Sequence, residues 1–153
     1  MGRAVAAVIV GYVTMFAVVF VSFSLAFLAM GVDNAFRAGS YEVSGLWIVV
    51  SIVLGFIAAV IGGLVCAKIA KGGKAPKALA VVVLALGLIL AVPVITKSGE
   101  AVPEVRTESV GPMEAMQQAE QPVWIALLNP ILGAVGVLVG AGLSARRRTA
   151  SGP

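Results

Sequence analysis

The sequence predicts an all-α fold: an integral membrane bundle of four transmembrane helices. Three observations support this. The 153 residues are 60% hydrophobic and 12% charged, with a mean hydropathy of +1.07, whereas soluble domains are about 45–50% apolar and about 25% charged. Four long apolar stretches contain no Asp, Glu, Lys or Arg. Each is near or above the ~20 residues that a helix needs to cross a hydrocarbon core of ~30 Å.

The apolar stretches run over 4–30, 44–67, 78–96 and 123–145, and together they form a single transmembrane domain. We predict helices for all four because a chain in lipid must satisfy its backbone hydrogen bonds within its own segment. The first stretch is longer than the ~7–15 apolar residues of a cleaved signal, so we predict that it is retained as a span. Trp47 and Trp124 lie near the ends of the second and fourth stretches, where an aromatic belt is expected.

The charges divide unequally between the two sides that four crossings would create. One side carries eight basic residues and no acid: Arg3, Lys68, Lys71, Lys74, Lys77, Arg146, Arg147 and Arg148. The other side, loops 31–43 and 97–122, carries all seven acids and three basic residues. Positive charge is retained in the cytoplasm during insertion. We therefore predict cytoplasmic termini, with a cytoplasmic basic tail at 146–153, and a periplasmic or extracellular loop at 97–122.

The basic residues of the lysine loop and of the tail have two interpretations. They are a topology signal with no further role, or they bind anionic lipid headgroups or a partner. The prominence of alanine, valine and glycine and the short loops indicate a bacterial inner membrane.

Signatures of catalysis and of cofactor binding are missing from the sequence. There is no histidine, and Cys66 is the only cysteine, so the chain has no internal disulfide and no CxxC pair. No glycine-rich phosphate loop is present. The glutamates lie in a loop that we expect to be solvated. We therefore predict no enzymatic activity, no metal, no cofactor and no nucleic-acid partner.

Small residues recur on one face of each predicted helix and predict where helices meet. In lipid, association depends on close backbone approach and van der Waals contact rather than on the hydrophobic effect. The candidate packing residues are Gly55, Ala59, Gly62, Gly133, Gly136 and Gly140, the last two forming a GxxxG motif. This pattern fits packing within one chain, and it also fits a homo-oligomer or contact with another membrane protein.

Asn129-Pro130 is the most distinctive polar feature within a predicted span. Pro130 has no N–H and crowds the carbonyl of Ala126, which predicts a kink. Asn129 carries the only side-chain amide in the four stretches. It either lines a polar path, as at the broken helices of transporters, or bonds to a neighbouring helix or to the freed carbonyl.

Three functions remain compatible with the sequence. The sequence favours the first, a scaffold or accessory subunit that acts through helix packing in the lipid bilayer. The second is a small transporter or channel with a polar path at Asn129 and a kink at Pro130. The third is a membrane enzyme acting on lipid or quinone, for which no residue offers support. Proton coupling usually requires an ionisable residue within a span, and none is present.

Overall fold

A computed structural model describes residues 2–71, 73–97 and 119–150 of the chain. It contains one short helix, α2 (Val32–Ala35), and four long ones: α1 (Gly2–Met30), α3 (Gly45–Ala70), α4 (Ala75–Lys97) and α5 (Val123–Ala150). All four are long and apolar enough to cross a membrane. The predicted four-helix architecture is therefore confirmed, while the predicted orientation of the termini stays a prediction. Most of the loop predicted at 97–122 and the side chains of Arg147 and Arg148 lie outside the described residues.

The long helices run a few residues beyond the apolar stretches because charged side chains continue them. Lys68 lies in the last turn of α3, and Arg146 lies within α5. Lysine and arginine are good helix formers, so a helix can pass the end of an apolar stretch before it stops. α3 then ends at Lys71, which adopts a left-handed conformation with φ of 53° and donates its N–H to the Ala67 carbonyl.

The start of α3 is fixed by a side-chain cap. The Ser44 hydroxyl oxygen accepts the N–H of Trp47 at 3.1 Å, as is usual at a helix N-terminus. The same hydroxyl donates to the Asn34 carbonyl at 2.5 Å. One side chain thus begins α3 and ties it to the segment around α2.

The four long helices form a ring in the order α1, α3, α5, α4. α3 packs extensively on α1 and α5, and α4 packs extensively on α5, whereas contact between α4 and α1 is more limited. Arg3 donates its Nε to the Ile69 carbonyl at 2.8 Å, so the start of α1 lies beside the end of α3. We call this the basic end, since it also holds the lysine loop, and the opposite end, which holds Asp33, Glu42 and Glu120, the acidic end.

The half of the bundle toward the basic end is tightly packed through small residues. A cluster of buried side chains fills it: Ala7, Ala59, Cys66, Ala75, Leu79, Ala80, Val83 and Val137. Gly11 and Gly62 face each other across α1 and α3, and a Cβ on Gly62 would lie 2.8 Å from the Gly11 carbonyl oxygen. Only glycine permits this approach of two backbones.

The crossing of α3 and α5 depends on three glycines. A Cβ added to Gly63 would overlap the Val137 carbonyl, and one added to Gly140 would overlap the Val60 carbonyl. Gly136 sits over Ala59, where an added Cβ would be 2.8 Å from the alanine Cβ. The GxxxG motif of α5 is therefore occupied by a helix of the same chain.

The surface of the long helices is rich in large apolar side chains. Phe16, Phe20 and Leu28 of α1 are 62%, 64% and 70% exposed, and Ile89 of α4 is 63% exposed. A soluble monomer rarely exposes contiguous apolar surface on this scale. Bulky side chains on the outside and small ones inside are the arrangement that a lipid environment favours.

The acidic end is covered by a short cap, which we define as residues 31–44. Phe36 and Val43 form an antiparallel bridge within it, and the turn passes through Gly39, whose φ of +71° suits glycine. Phe36 is buried with its ring edge-on to Phe27, which in turn packs edge-on against Trp47. These contacts fix the cap to α1 and α3.

The two tryptophans differ in burial, and their place in an aromatic belt stays a prediction. Trp47 is only 9% exposed and packs edge-on against Phe23 and Phe27, whereas Trp124 is 55% exposed. Trp47 is buried because the cap folds over the first turn of α3. Spacing within the α3 stretch alone does not reveal that contact.

Candidate ligand cavity

A cavity of about 1040 Å³ opens in the half of the bundle toward the acidic end. All four long helices contribute to its wall: Tyr12 and Phe23 belong to α1, Phe56 to α3, Leu90 to α4 and Asn129 to α5. The cavity is large enough for a small organic molecule, because ligand pockets typically enclose about 300–1,000 Å³.

The cavity is closed toward the basic end. Its deepest lining residues are Tyr12 of α1, Ala59 of α3 and Val83 of α4. Ala59 and Val83 belong to the tightly packed cluster and are 1% and 8% exposed. The described helices therefore close together in one half of the bundle and leave the cavity in the other half.

Two glycines shape the wall in opposite ways. Gly55 of α3 lines the cavity, and a Cβ added to it would meet nothing within 4 Å. Gly87 of α4 instead touches Pro130 of α5, where an added Cβ would lie 2.6 Å from the ring Cγ. The proline ring thus fills the space that a side chain on Gly87 would need, and it sets the separation of α4 and α5 beside the cavity.

Both helices that meet at this contact contain a proline and continue through it. Pro130 lies inside α5 and Pro93 inside α4, and both line the cavity. Neither can donate a backbone hydrogen bond, so the carbonyls of Ala126 and Ile89 lose their usual helical donors. Ala126 also lines the cavity. Its carbonyl is therefore a candidate acceptor for a ligand.

Three side chains supply polar atoms to the otherwise apolar wall of the helices. Ser51 donates its hydroxyl to the Ile48 carbonyl at 2.9 Å. The Asn129 amide and the Tyr12 hydroxyl make no side-chain hydrogen bond within the described part of the chain. Neither bond proposed for Asn129, to a neighbouring helix or to the freed carbonyl, is therefore present among these residues. An amide and a phenol remain available to a ligand.

Charged residues surround the mouth of the cavity at the acidic end. Arg37 and Glu42 form an ion pair of 2.7 Å, with side chains 69% and 47% exposed. Glu120 accompanies them, because its N–H bonds to the Tyr41 carbonyl and its carbonyl accepts the N–H of Val43. The parallel bridge between residues 42 and 120 places two glutamates beside one arginine. Glu120 has no ion pair with any residue that the structure describes.

The structure separates the residues singled out from the sequence into three locations. Asn129, Pro130, Gly55, Ala59 and Gly133 line the cavity. Gly62, Gly136 and Gly140 lie at helix crossings. The basic residues Lys68, Lys71, Lys74, Lys77 and Arg146 are exposed at the opposite end.

Several lining residues escaped the sequence reasoning. Tyr12 lies in the first apolar stretch with no motif to mark it, and Arg37, Glu42 and Glu120 were considered only as loop charges. No local motif joins residues 37, 42 and 120, since the bridge between the cap and the start of α5 brings them together. Among the lining residues that were missed, Pro93 could have been found from the sequence. Like Pro130, it is a proline within an apolar stretch and removes a backbone hydrogen-bond donor there.

The fold and the cavity together define an all-helical class of protein, with four helices long and apolar enough to cross a membrane and a predominantly apolar cavity between them. Comparisons with protein-family models, with curated proteins and with solved structures found no match.

Proposed function

We propose that the chain is a non-enzymatic membrane protein that takes a small amphipathic molecule into the cavity at its acidic end, as a transporter or carrier does. The cavity itself is the observation that supports this function. Its wall is predominantly apolar, and the Asn129 amide and the Tyr12 phenol in it make no side-chain hydrogen bond to any residue that the structure describes. Apolar walls with a few placed polar groups are typical of small-molecule sites.

The charges at the mouth favour a cationic or neutral polar group over an anionic one. Arg37 neutralises Glu42, and Glu120 remains unpaired among the described residues. An approaching anion would meet that carboxylate, whereas a cation would be attracted to it. The aromatic rings of Tyr12, Phe23 and Phe56 offer further contact to a ligand cation.

The scaffold function, the first choice from the sequence, receives less support. The glycine motifs that could have met a partner helix, Gly136 and Gly140, lie against α3 of the same chain. Three of the six candidate packing residues, Gly62, Gly136 and Gly140, therefore already contact helices of this chain.

Ligand binding can be tested with one matched pair of variants. Gly55→Leu adds a side chain at the cavity wall, where the new Cβ would meet nothing within 4 Å, and Gly142→Leu makes the same change at an exposed, uncrowded glycine of α5. The protein in nanodiscs is titrated with N-phenyl-1-naphthylamine, a neutral fluorophore, with empty nanodiscs subtracted. We expect Gly55→Leu to weaken binding about tenfold, a loss of ~1.4 kcal/mol, and Gly142→Leu to leave it unchanged. Equal binding by both variants and the wild type would contradict the proposal.

The charge preference has its own test with tetraphenylphosphonium and tetraphenylborate, which are alike in shape and opposite in charge. Glu120→Gln should weaken binding of the cation and not of the anion. Asp33→Asn removes an acid at the same end that does not line the cavity, and it serves as the control. If Glu120→Gln changes the binding affinity of both ions equally, the mouth of the cavity has no role in charge selectivity.

Transport can be separated from binding by flux measurements in liposomes. Asn129→Leu removes the only amide of the spans while keeping a side chain of similar size. Loss of tetraphenylphosphonium flux, with far-UV circular dichroism unchanged, is the expected result. Undiminished flux in this variant would exclude Asn129 from the path.

A further inference from the structure

A second concave surface lies at the basic end, outside the cavity described above. It is a groove of about 360 Å³ between the first turns of α1 and of α4. Apart from Lys74, its lining is entirely apolar: Ala4, Val5, Val8 and Ile9 of α1, and Ala75 and Ala78 of α4. The α1 side of the groove, residues 4–9, extends about 8 Å along the helix axis, given a rise of 1.5 Å per residue. An apolar lining of this extent suits contact with a hydrocarbon segment.

The position of the groove relative to the charges indicates the kind of molecule that fits it. Lys74 lies at its edge and is exposed. Arg3 precedes the first lining residue, and Lys77 follows Pro76 in the first turn of α4. The described residues of this end include no acid that would compete for these cations. An apolar groove with cations at its outer edge is complementary to an anionic headgroup with a hydrocarbon chain.

We propose that this groove seats an acyl chain of an anionic phospholipid whose phosphate lies against Lys74. Juxtamembrane lysines and arginines each contribute about 1 kcal/mol to attraction by an anionic lipid surface. The groove adds van der Waals contact along the chain, which a lysine in open solvent does not provide. The lysine loop therefore has a binding role in addition to the topological one.

Two matched pairs of variants separate the headgroup from the chain. Lys74→Gln and Lys68→Gln remove the same charge, but only Lys74 lines the groove. Ala78→Leu and Ala85→Leu enlarge exposed alanines of α4, but only Ala78 lines the groove, and Ala85 lines neither concave surface. All four changes lie on the surface, so we expect the bundle to remain folded, with circular dichroism as the check.

Lipid retention is measured by native mass spectrometry of the full chain in dodecyl maltoside, titrated with phosphatidylglycerol or phosphatidylcholine of identical chains. Lys74→Gln should reduce the preference for phosphatidylglycerol about fivefold, the value of one lysine contact. Ala78→Leu should reduce retention of both lipids. Lys68→Gln and Ala85→Leu should retain both lipids as the wild type does, with the same preference for phosphatidylglycerol.

Three results would overturn the inference. If Lys74→Gln and Lys68→Gln reduce the preference for phosphatidylglycerol equally, the preference comes from the general positive charge of this end and not from a site. Equal retention by Ala78→Leu and Ala85→Leu would show that no chain occupies the groove. A lipid-free dimer that is lost only in Ala78→Leu would assign the groove to a second copy of the chain. None of these results depends on ligand binding in the cavity.

Discussion

The crossing of α3 and α5 allows a sharp prediction about Gly140. In Gly140→Ala, the new Cβ would lie 2.9 Å from both the Val60 carbonyl carbon and the Leu64 nitrogen. Favourable carbon–carbon contacts begin near 3.5 Å, so the methyl group is about 0.6 Å too close to the Val60 carbon. Both neighbours are backbone atoms, and a change of rotamer does not move them. The helices must therefore separate.

The magnitude follows from comparison with a second glycine of the same helix. Gly142 is exposed, and an added Cβ would meet nothing within 4 Å. Alanine raises helix propensity at both positions by up to about 1 kcal/mol, and this gain cancels in the comparison. Overpacking costs about 1–3 kcal/mol. We therefore expect Gly140→Ala to be about 1–3 kcal/mol less stable than Gly142→Ala.

The assay is equilibrium unfolding in mixed micelles of dodecyl maltoside and increasing dodecyl sulfate, followed by far-UV circular dichroism. The free energy of unfolding should fall for Gly140→Ala and stay equal or rise for Gly142→Ala. Equal stabilities would mean that α3 and α5 do not cross at this point. The reasoning about small residues at the helix contacts would then be wrong.

Three further predictions concern other elements. Gly87→Ala would place its methyl group 2.6 Å from the Pro130 ring and should lower the free energy of unfolding by about 1–3 kcal/mol in the same assay. Adding Pro130→Ala should recover part of that stability, and additive losses from the two substitutions would contradict the contact. Trp47→Ala removes a buried aromatic side chain beneath the cap, so it should lower the free energy of unfolding by about 3 kcal/mol and abolish most of the near-UV dichroism. A smaller loss of stability than that caused by truncating an exposed apolar side chain would refute the buried cluster. Reporter fusions at residue 73 and at the C-terminus should report cytoplasm and one at residue 105 the opposite side, because positive charge is retained inside; a common side for 73 and 105 would refute the threading.

The candidate site was only partly accessible from the sequence. Asn129 and Pro130 were recognisable because an amide and a proline stand out in an apolar stretch. Glu120 and Glu42 were not, because residues 78 positions apart become neighbours only through the bridge between the cap and the start of α5. The sequence also could not distinguish the roles of Gly55 and Gly62, because both lie on one face of α3. Gly62 meets the backbone of α1, whereas Gly55 faces an open cavity.

The sequence by itself predicted four long apolar helices and their approximate bounds, and it placed all the acids on one side and most of the basic residues on the other. Each of these features depends on the apolar content or the charge of one continuous segment. It can be predicted without knowing which other segments pack against it. Tertiary structure alone decided that the helices close together in one half and leave a cavity in the other. That outcome depends on which glycine meets which backbone across the ring, and such contacts join segments that are distant in the chain.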